Sequence, residues 1–372
     1  MLCRCRIRRV AGILQGMDAG EARSTSRPGI PPQRKAAFGA IAVGLCILLL
    51  EFLGRIVTSV APNARWEFEH NHVRTIGFPA LNDILEPDPR RFWRLKANVD
   101  NQRIIGRVGE DDLVFHLSTD AAGHRRMPPV TVAKRTVLFL GDSCMLGIGV
   151  DDDAAIPAQT QRRLSQTQCL NAGVPGYSAY QGRVHLEQLL ANTHVDDVVI
   201  QFGFNDDAVW DGRGDAAHAA DLARGPAWPE QLGVVRLMRA VLPAPAGPTT
   251  QAAGGRPRLT DDEFGGQIEA ILDLCAARRV RPVLVVWPLR VQTRGGPRTG
   301  KQVLIARLAA EQRVPLVDLL EEIVRRRSEP NARFADLLHF NESGCSLAAE
   351  VIARELSRLE NPSGRVIDSP AP

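Results

Sequence analysis

Several features that would sort a chain into a familiar class are scarce in these 372 residues. Glycine numbers 32, far below the one in three of a collagen-like repeat, and 44% apolar residues is too many for a disordered polymer. An excess of one charge is missing from most of the chain. The net +4 is concentrated in residues 1–35, where eight bases face two acids, while the remainder carries 38 bases against 40 acids. A near-neutral body lacks the electrostatic footprint that phosphate backbones demand, so no nucleic-acid partner is expected. Metal-ligand clusters are lacking too. No Cys, Asp or Glu cluster with metal-ligand spacing supports His70-Asn71-His72, which reads as solvated stalk, and Asp151-Asp152-Asp153 is too bunched for a calcium loop. No metal or organic cofactor is expected.

Cysteine is sparse and divided. Cys3, Cys5 and Cys46 fall in or before an apolar run, and Cys144, Cys169, Cys275 and Cys345 beyond it. Four in an oxidising compartment permit disulfides in three pairings; buried free thiols fit the sequence equally well.

The apolar run extends from Ala36 to Leu50 without a charge and, past Glu51, continues around Arg55 to Val57. A bilayer core takes roughly 20 helical residues, so 36–57 spans it if Glu51 and Arg55 pair at the far interface, as their i,i+4 spacing allows. The basic tail ahead of it places residues 1–35 in the cytoplasm and the chain beyond the run in the periplasm or outside the cell. A buried soluble helix is opposed by Arg34 and Lys35. A cleavable signal peptide competes, because Ser59-Val60-Ala61 has the small residues of a cleavage site, although Pro62 hinders cleavage.

Residues 58–134 read as a stalk merging into a short β-rich lead-in, with scattered aromatics and turn residues such as Pro87, Gly106 and Pro128. Regularity begins near residue 135. Val137–Leu140, Cys169–Asn171, Val198–Phe202, Val283–Trp287 and Leu316–Val317 predict five strands, the strongest of them apolar on both faces. Three helical patterns stand out. Phe264, Ile268, Ile271, Leu272 and Cys275 follow a Thr260–Glu263 capping box; Val303, Leu304 and Leu308 form a second set, and Leu347, Val351, Ile352 and Leu359 a terminal helix. Alternating strands and helices imply a doubly wound, three-layer α/β sandwich over 135–360 with a five-stranded parallel sheet, preceded by a transmembrane helix. Residues 207–259, rich in Gly, Ala, Pro and Arg, interrupt the rhythm as a lid-like insertion, and 361–372 read as a flexible tail.

In such sheets ligands bind beyond the strands' carboxyl ends. The first strand leads into Gly141-Asp142-Ser143, the second into Asn171 and on to Gly176, the third into Gly203-Phe204-Asn205-Asp206. A hydroxyl, glycine N–H groups and a carboxamide are the equipment of acyl transfer. Near the C-terminus, Asp336-Leu337-Leu338-His339 supplies a base, because an Asp three residues before a His can fold back onto its Nδ1–H. Taken singly, these residues also suit caps and turns.

Together, and in this order, the four blocks resemble the SGNH hydrolases, or GDSL-type esterases, over roughly residues 135–360. The resemblance implies a flavodoxin-like fold, Ser143 as nucleophile, His339 as base and Asp336 as its orienting carboxylate. The Ser143 and Gly176 N–H groups and the Asn205 side chain would make the oxyanion hole. It departs from the family pattern at Cys144, where leucine is usual, and at Phe340, where proline or leucine is. It implies hydrolysis of ester-linked acyl groups, O-acetyl on carbohydrate or lipid esters, by a membrane-anchored enzyme. The alternatives are a polysaccharide O-acetyltransferase using the same triad and a non-catalytic glycan-binding or scaffold protein. His116, His124, His185, His194 and His218 read as structural or surface groups, and Trp210 and Trp228 as stacking or packing groups of the insertion.

Overall fold

The computed structural model describes residues 31–60, 79–108, 111–209, 212–224, 228–241, 255–327, 329 and 332–360. Cys3, Cys5, the His70–His72 pair, Trp210, most of the stalk and the tail over 361–372 lie outside the described residues. The chain divides into two compact units, Met1–Glu51 and Phe52–Pro372.

Helix α1 (Pro32–Val60) begins in the first unit. Its apolar side chains face outward; Phe38, Leu45, Leu48 and Phe52 are all exposed. Within Pro32–Val57 an 18-residue window reaches a mean hydropathy of 2.4, and the helix's length and composition suit a membrane span and a signal sequence alike.

In the second unit two antiparallel hairpins come first, β1 (Leu85–Asp88) with β2 (Phe92–Leu95) and β3 (Gln102–Val108) with β4 (Asp111–Leu117). Trp93, Leu95, Ile104, Phe115 and Leu117 are buried and belong to the same core as one face of the main sheet. The lead-in therefore packs against the sheet from about residue 81 onward.

The main sheet is parallel throughout, with β5 (Arg135–Gly141), β6 (Thr167–Gly173), β7 (Asp197–Gln201), β8 (Arg281–Val286) and β9 (Leu316–Asp318) in the order β6-β5-β7-β8-β9. The helices alternate with these strands. Helices α2 (Ser143–Leu146) and α3 (Ile156–Gln161) follow β5, and α4 (Ala179–Asn192) follows β6. After β7 come α5 (Asp215–Arg224), α6 (Trp228–Gln231), α7 (Gly233–Val241) and α8 (Asp261–Arg278). Helix α9 (Gly300–Gln312) follows β8, and α10 (Leu319–Arg325) and α11 (Glu342–Glu360) follow β9.

Side chains alternate across a strand, and both faces of this sheet are covered. Leu138, Leu140, Leu284 and Val286 join the core beneath α4, α8 and α9, whereas Val137, Phe139, Val283 and Val285 join the core beneath α3, α10 and α11. That is why the strands read as continuous apolar runs. The result is the doubly wound, three-layer sandwich, and its strand order reverses between β5 and β7. The crevice at such a switch point is where open α/β sheets bind ligands.

Some details match the sequence reading and others differ. Helix α8 opens on its capping box, Thr260 Oγ1 accepting from Glu263 N and Glu263 Oε2 from Thr260 N. In α9 the buried stripe is Leu304, Ile305, Leu308 and Ala309, and Val303 is turned to solvent. The insertion is partly helical (α5 to α7), and Trp228 is exposed. All four outer cysteines are buried free thiols. Burial pushes Cys169, Cys275 and Cys345 up to about 12 and Cys144 well above the ordinary thiol value.

Candidate active site

Strand β5 ends at Gly141, where any side chain would drive into the backbone of Gln201 and the side chain of Met145. Asp142 then caps α2, its Oδ1 accepting from Cys144 N at 2.8 Å. This turn lifts Ser143 to the carboxyl end of the sheet. From the far side of the crevice, the segment after α10 folds back on itself. Phe334 and Phe340 form an antiparallel bridge, and Ala335 N donates to His339 O at 2.8 Å. Beneath it Phe340 packs between Trp287 and Phe334, with ring centres 4.4 and 4.9 Å away. The Phe340 departure thus supports the histidine loop from below. Trp287 Nε1 also donates to Leu338 O at 2.9 Å.

These two segments meet. His339 Nε2 lies 2.9 Å from Ser143 Oγ, and His339 Nδ1 lies 2.6 Å from Asp336 Oδ2. The other carboxylate oxygen, Asp336 Oδ1, accepts from Leu338 N at 2.7 Å and His339 N at 2.6 Å. Burial alone would raise the Asp336 carboxyl; bonding to His339, its charge and the two N–H groups outweigh burial and hold it below the ordinary value. A carboxylate so held favours the imidazole tautomer protonated at Nδ1, with Nε2 the nitrogen that faces the serine hydroxyl.

Asn205 sits on the turn after β7, beside the same switch point. Its Nδ2 donates to Asp142 Oδ2 at 3.0 Å and to Tyr177 O at 3.2 Å. Gly176, on the loop after β6, has φ +76°, the left-handed region that favours glycine. Asp206 joins these two loops, its Oδ1 accepting from Ala179 N at 2.8 Å and its Oδ2 from Gly203 N at 2.9 Å. Burial, reinforced by Asp215 and Asp142, raises the Asp206 carboxyl to about 7 against the pull of Ala179 N–H and Arg258. Burial likewise raises Asp142, the Cys144 N–H and His339 pulling the other way.

The structure thus links Ser143, His339 and Asp336 in one hydrogen-bonded chain and ties Asn205 to Asp142, beside the serine, and to Tyr177, beside Gly176. Ser143 and His339 are almost fully buried. Exposed apolar groups flank them: Phe204 precedes Asn205 and Leu337 lies between Asp336 and His339. Arg125 is a supporting residue that sequence reasoning missed. Fully buried, its guanidinium donates to the carbonyls of Leu146, Gly147 and Val150 at 2.7–2.8 Å and to Asp152 Oδ1 at 2.8 Å. It holds the chain leaving α2, and an arginine in an irregular stretch carries no signal of that role. Asp152 also accepts from Ser118 N, and Asp151 from His116 N, so these acids serve the lead-in packing. Among the described residues, no three His, Cys, Asp or Glu side chains come together as a metal site.

The sequence profile of the GDSL-like Lipase/Acylhydrolase family matches residues 139–347. No curated protein matches the chain in sequence. Similar solved structures include a lipase/acylhydrolase from Enterococcus faecalis, 20% identical, with 60% of this chain and 95% of that chain covered at a TM-score of 0.40. The psychrotrophic esterase EstA from Pseudoalteromonas sp. is 16% identical, with 61% and 100% covered at a TM-score of 0.41. A member of the lipolytic protein G-D-S-L family from Veillonella parvula is 14% identical, with 60% and 99% covered at a TM-score of 0.41.

Proposed function

This chain belongs to the GDSL-like Lipase/Acylhydrolase family and hydrolyses ester bonds, and from that premise we propose that it is a membrane-anchored serine esterase removing small acyl groups, O-acetyl foremost, from carbohydrate. What carries the reading is the unbroken chain of hydrogen bonds from Ser143 Oγ through both ring nitrogens of His339 to Asp336.

Ser143 Oγ attacks the ester carbonyl carbon while His339 Nε2 takes its proton. The Ser143 and Gly176 N–H groups and Asn205 Nδ2 hold the oxyanion of the tetrahedral intermediate. As that intermediate collapses, His339 returns the proton to the leaving alcohol and an acyl-serine remains. Water then gives one proton to His339 as its oxygen attacks the acyl carbon; the bond to Ser143 Oγ breaks, His339 returns that proton to Oγ, and the carboxylic acid departs and ionises in solvent.

Two features support the substrate class. The reacting hydroxyl lies almost fully below the surface, which a short acyl group projecting from its alcohol can reach. At the rim, half-exposed Phe204 offers an aromatic face on which a sugar ring stacks. In this reading residues 1–35 form a cytoplasmic tail, 36–57 the anchor and 135–360 the hydrolase domain, which faces the periplasm or cell exterior, with 207–259 inserted as a lid. The basic tail supports that orientation.

A fluorophosphonate probe tests the serine directly. It is expected to label the chain at Ser143 and to leave Ser143→Ala unlabelled and inactive on p-nitrophenyl acetate. Turnover by that variant at the parent rate would refute the mechanism. An absolute requirement for a sugar acceptor would turn the assignment to acyl transfer.

A further inference from the structure

The Gly176 N–H belongs to the Pro175–Gly176 peptide. None of the described peptide bonds is cis. In a trans peptide the carbonyl and the N–H point oppositely from one plane, so whatever grips Pro175 O aims Gly176 N–H. Trp93 Nε1 donates to that oxygen at 2.9 Å. The next carbonyl, Gly176 O, accepts from Arg258 Nη1 at 2.6 Å. Both peptide planes flanking Gly176 Cα are therefore tied by buried donors.

The two donors are themselves fixed. Trp93 is completely buried, its carbonyl accepts from Tyr177 Oη at 2.6 Å, and the Arg258 guanidinium lies 5.7 Å from its ring centre. Arg258 is neutralised by buried Asp215, with bonds of 2.9 and 2.8 Å, and also donates to Gln181. Arg258 N donates to Ala208 O and Leu259 N to Asp206 O, which fastens the insertion's return to the turn bearing Asn205. Neither donor belongs to the four motif blocks: Trp93 comes from the lead-in hairpin and Arg258 from the insertion.

We propose that Trp93 and Arg258 are positioning residues that lock the peptides on either side of Gly176 and aim its N–H into the oxyanion hole. The lead-in and the insertion thereby complete a site whose reacting groups lie in the sandwich. This inference rests on the reading of Gly176 as an oxyanion donor.

The test is Trp93→Phe in the full chain, which keeps an aromatic ring and removes the N–H. On p-nitrophenyl acetate kcat is expected to fall about ten- to a hundredfold with KM within about twofold. Binding of a trifluoromethyl ketone, which forms a tetrahedral adduct on the serine, is expected to weaken in parallel with kcat. Mere packing would lower the melting temperature and leave both readouts at parent values, and that result overturns the proposal. Arg258→Lys, which keeps a cation beside Asp215, carries the same two readouts should Trp93→Phe lose its cooperative melt. Ser143→Ala separates the two claims: full activity there refutes the serine mechanism, whereas an inactive Ser143→Ala beside an unimpaired Trp93→Phe refutes only the aiming role.

Discussion

In the proposed mechanism the Ser143 proton crosses a hydrogen bond with 2.9 Å between Oγ and His339 Nε2, and the imidazolium that results stands 2.6 Å from a carboxylate held ionised. Asp336→Asn keeps the shape and removes that charge. Its rate is expected to fall on the order of a thousandfold or more, because the amide no longer enforces the Nδ1–H tautomer. The same carboxyl leaves a mark on stability. Its folded value lies below the ordinary 3.8, so its contribution is present above that pH and is lost as pH falls through the depressed value. Asp336→Asn is expected to show a shallower acid-side loss of melting temperature than the parent, which thermal melts across that range will measure. At this scale the candidate reacting groups were legible because Ser143 and Asn205 each follow a strand and Asp336 and His339 form a short block just ahead of the terminal helix. Trp93, Arg125 and Arg258 were not. Their roles depend on which backbone carbonyls approach them from 21 or more positions away along the chain, and no local pattern encodes that.

Among the elements, the Asp206 carboxylate clasps the loops after β6 and β7 together, beside the bond from Asn205 to Tyr177 O. Its folded value is raised to about 7, so between the ordinary 3.8 and about 7 the folded chain keeps a proton that the unfolded chain has lost. The stabilisation is fully present below 3.8 and disappears as pH rises through about 7. Asp206→Asn, which cannot titrate, is expected to flatten that decline; urea midpoints at about pH 4 and pH 7 will show it, and an unchanged slope would count against the clasp. The strands and α8 were legible from unbroken apolar runs and a capping box. Helix α4 was not, because its buried face includes Gln181, Gly182 and His185 beside Leu186 and Leu189, a mixture without apolar periodicity. Helix α7 was hidden in a stretch dominated by Gly, Pro and Arg.

For the whole molecule, neither hydrophobic core among the described residues includes a residue of α1, whose apolar side chains, Phe38, Leu45, Leu48 and Phe52 among them, are exposed. The full chain is expected in the membrane fraction, released by detergent and not by carbonate or high salt. A chain lacking residues 1–57 should be recovered in the soluble fraction with its esterase activity intact. Recovery of the full chain in the soluble fraction would defeat the anchor assignment. The sandwich was legible in outline from the alternation of strands and helices. The union of the lead-in hairpins with its core was not, since Trp93, Phe115 and Leu117 find their partners only in three dimensions.

Four buried, unpaired thiols have a consequence for where this fold can form. Cys144, Cys169, Cys275 and Cys345 hold the sandwich together as small apolar groups, so its assembly needs neither an oxidant nor a disulfide isomerase. The hydrolase domain should mature as readily in a glutathione-rich cytosol as beyond the membrane, and its thiols should stay silent toward alkylating reagents until the chain unfolds.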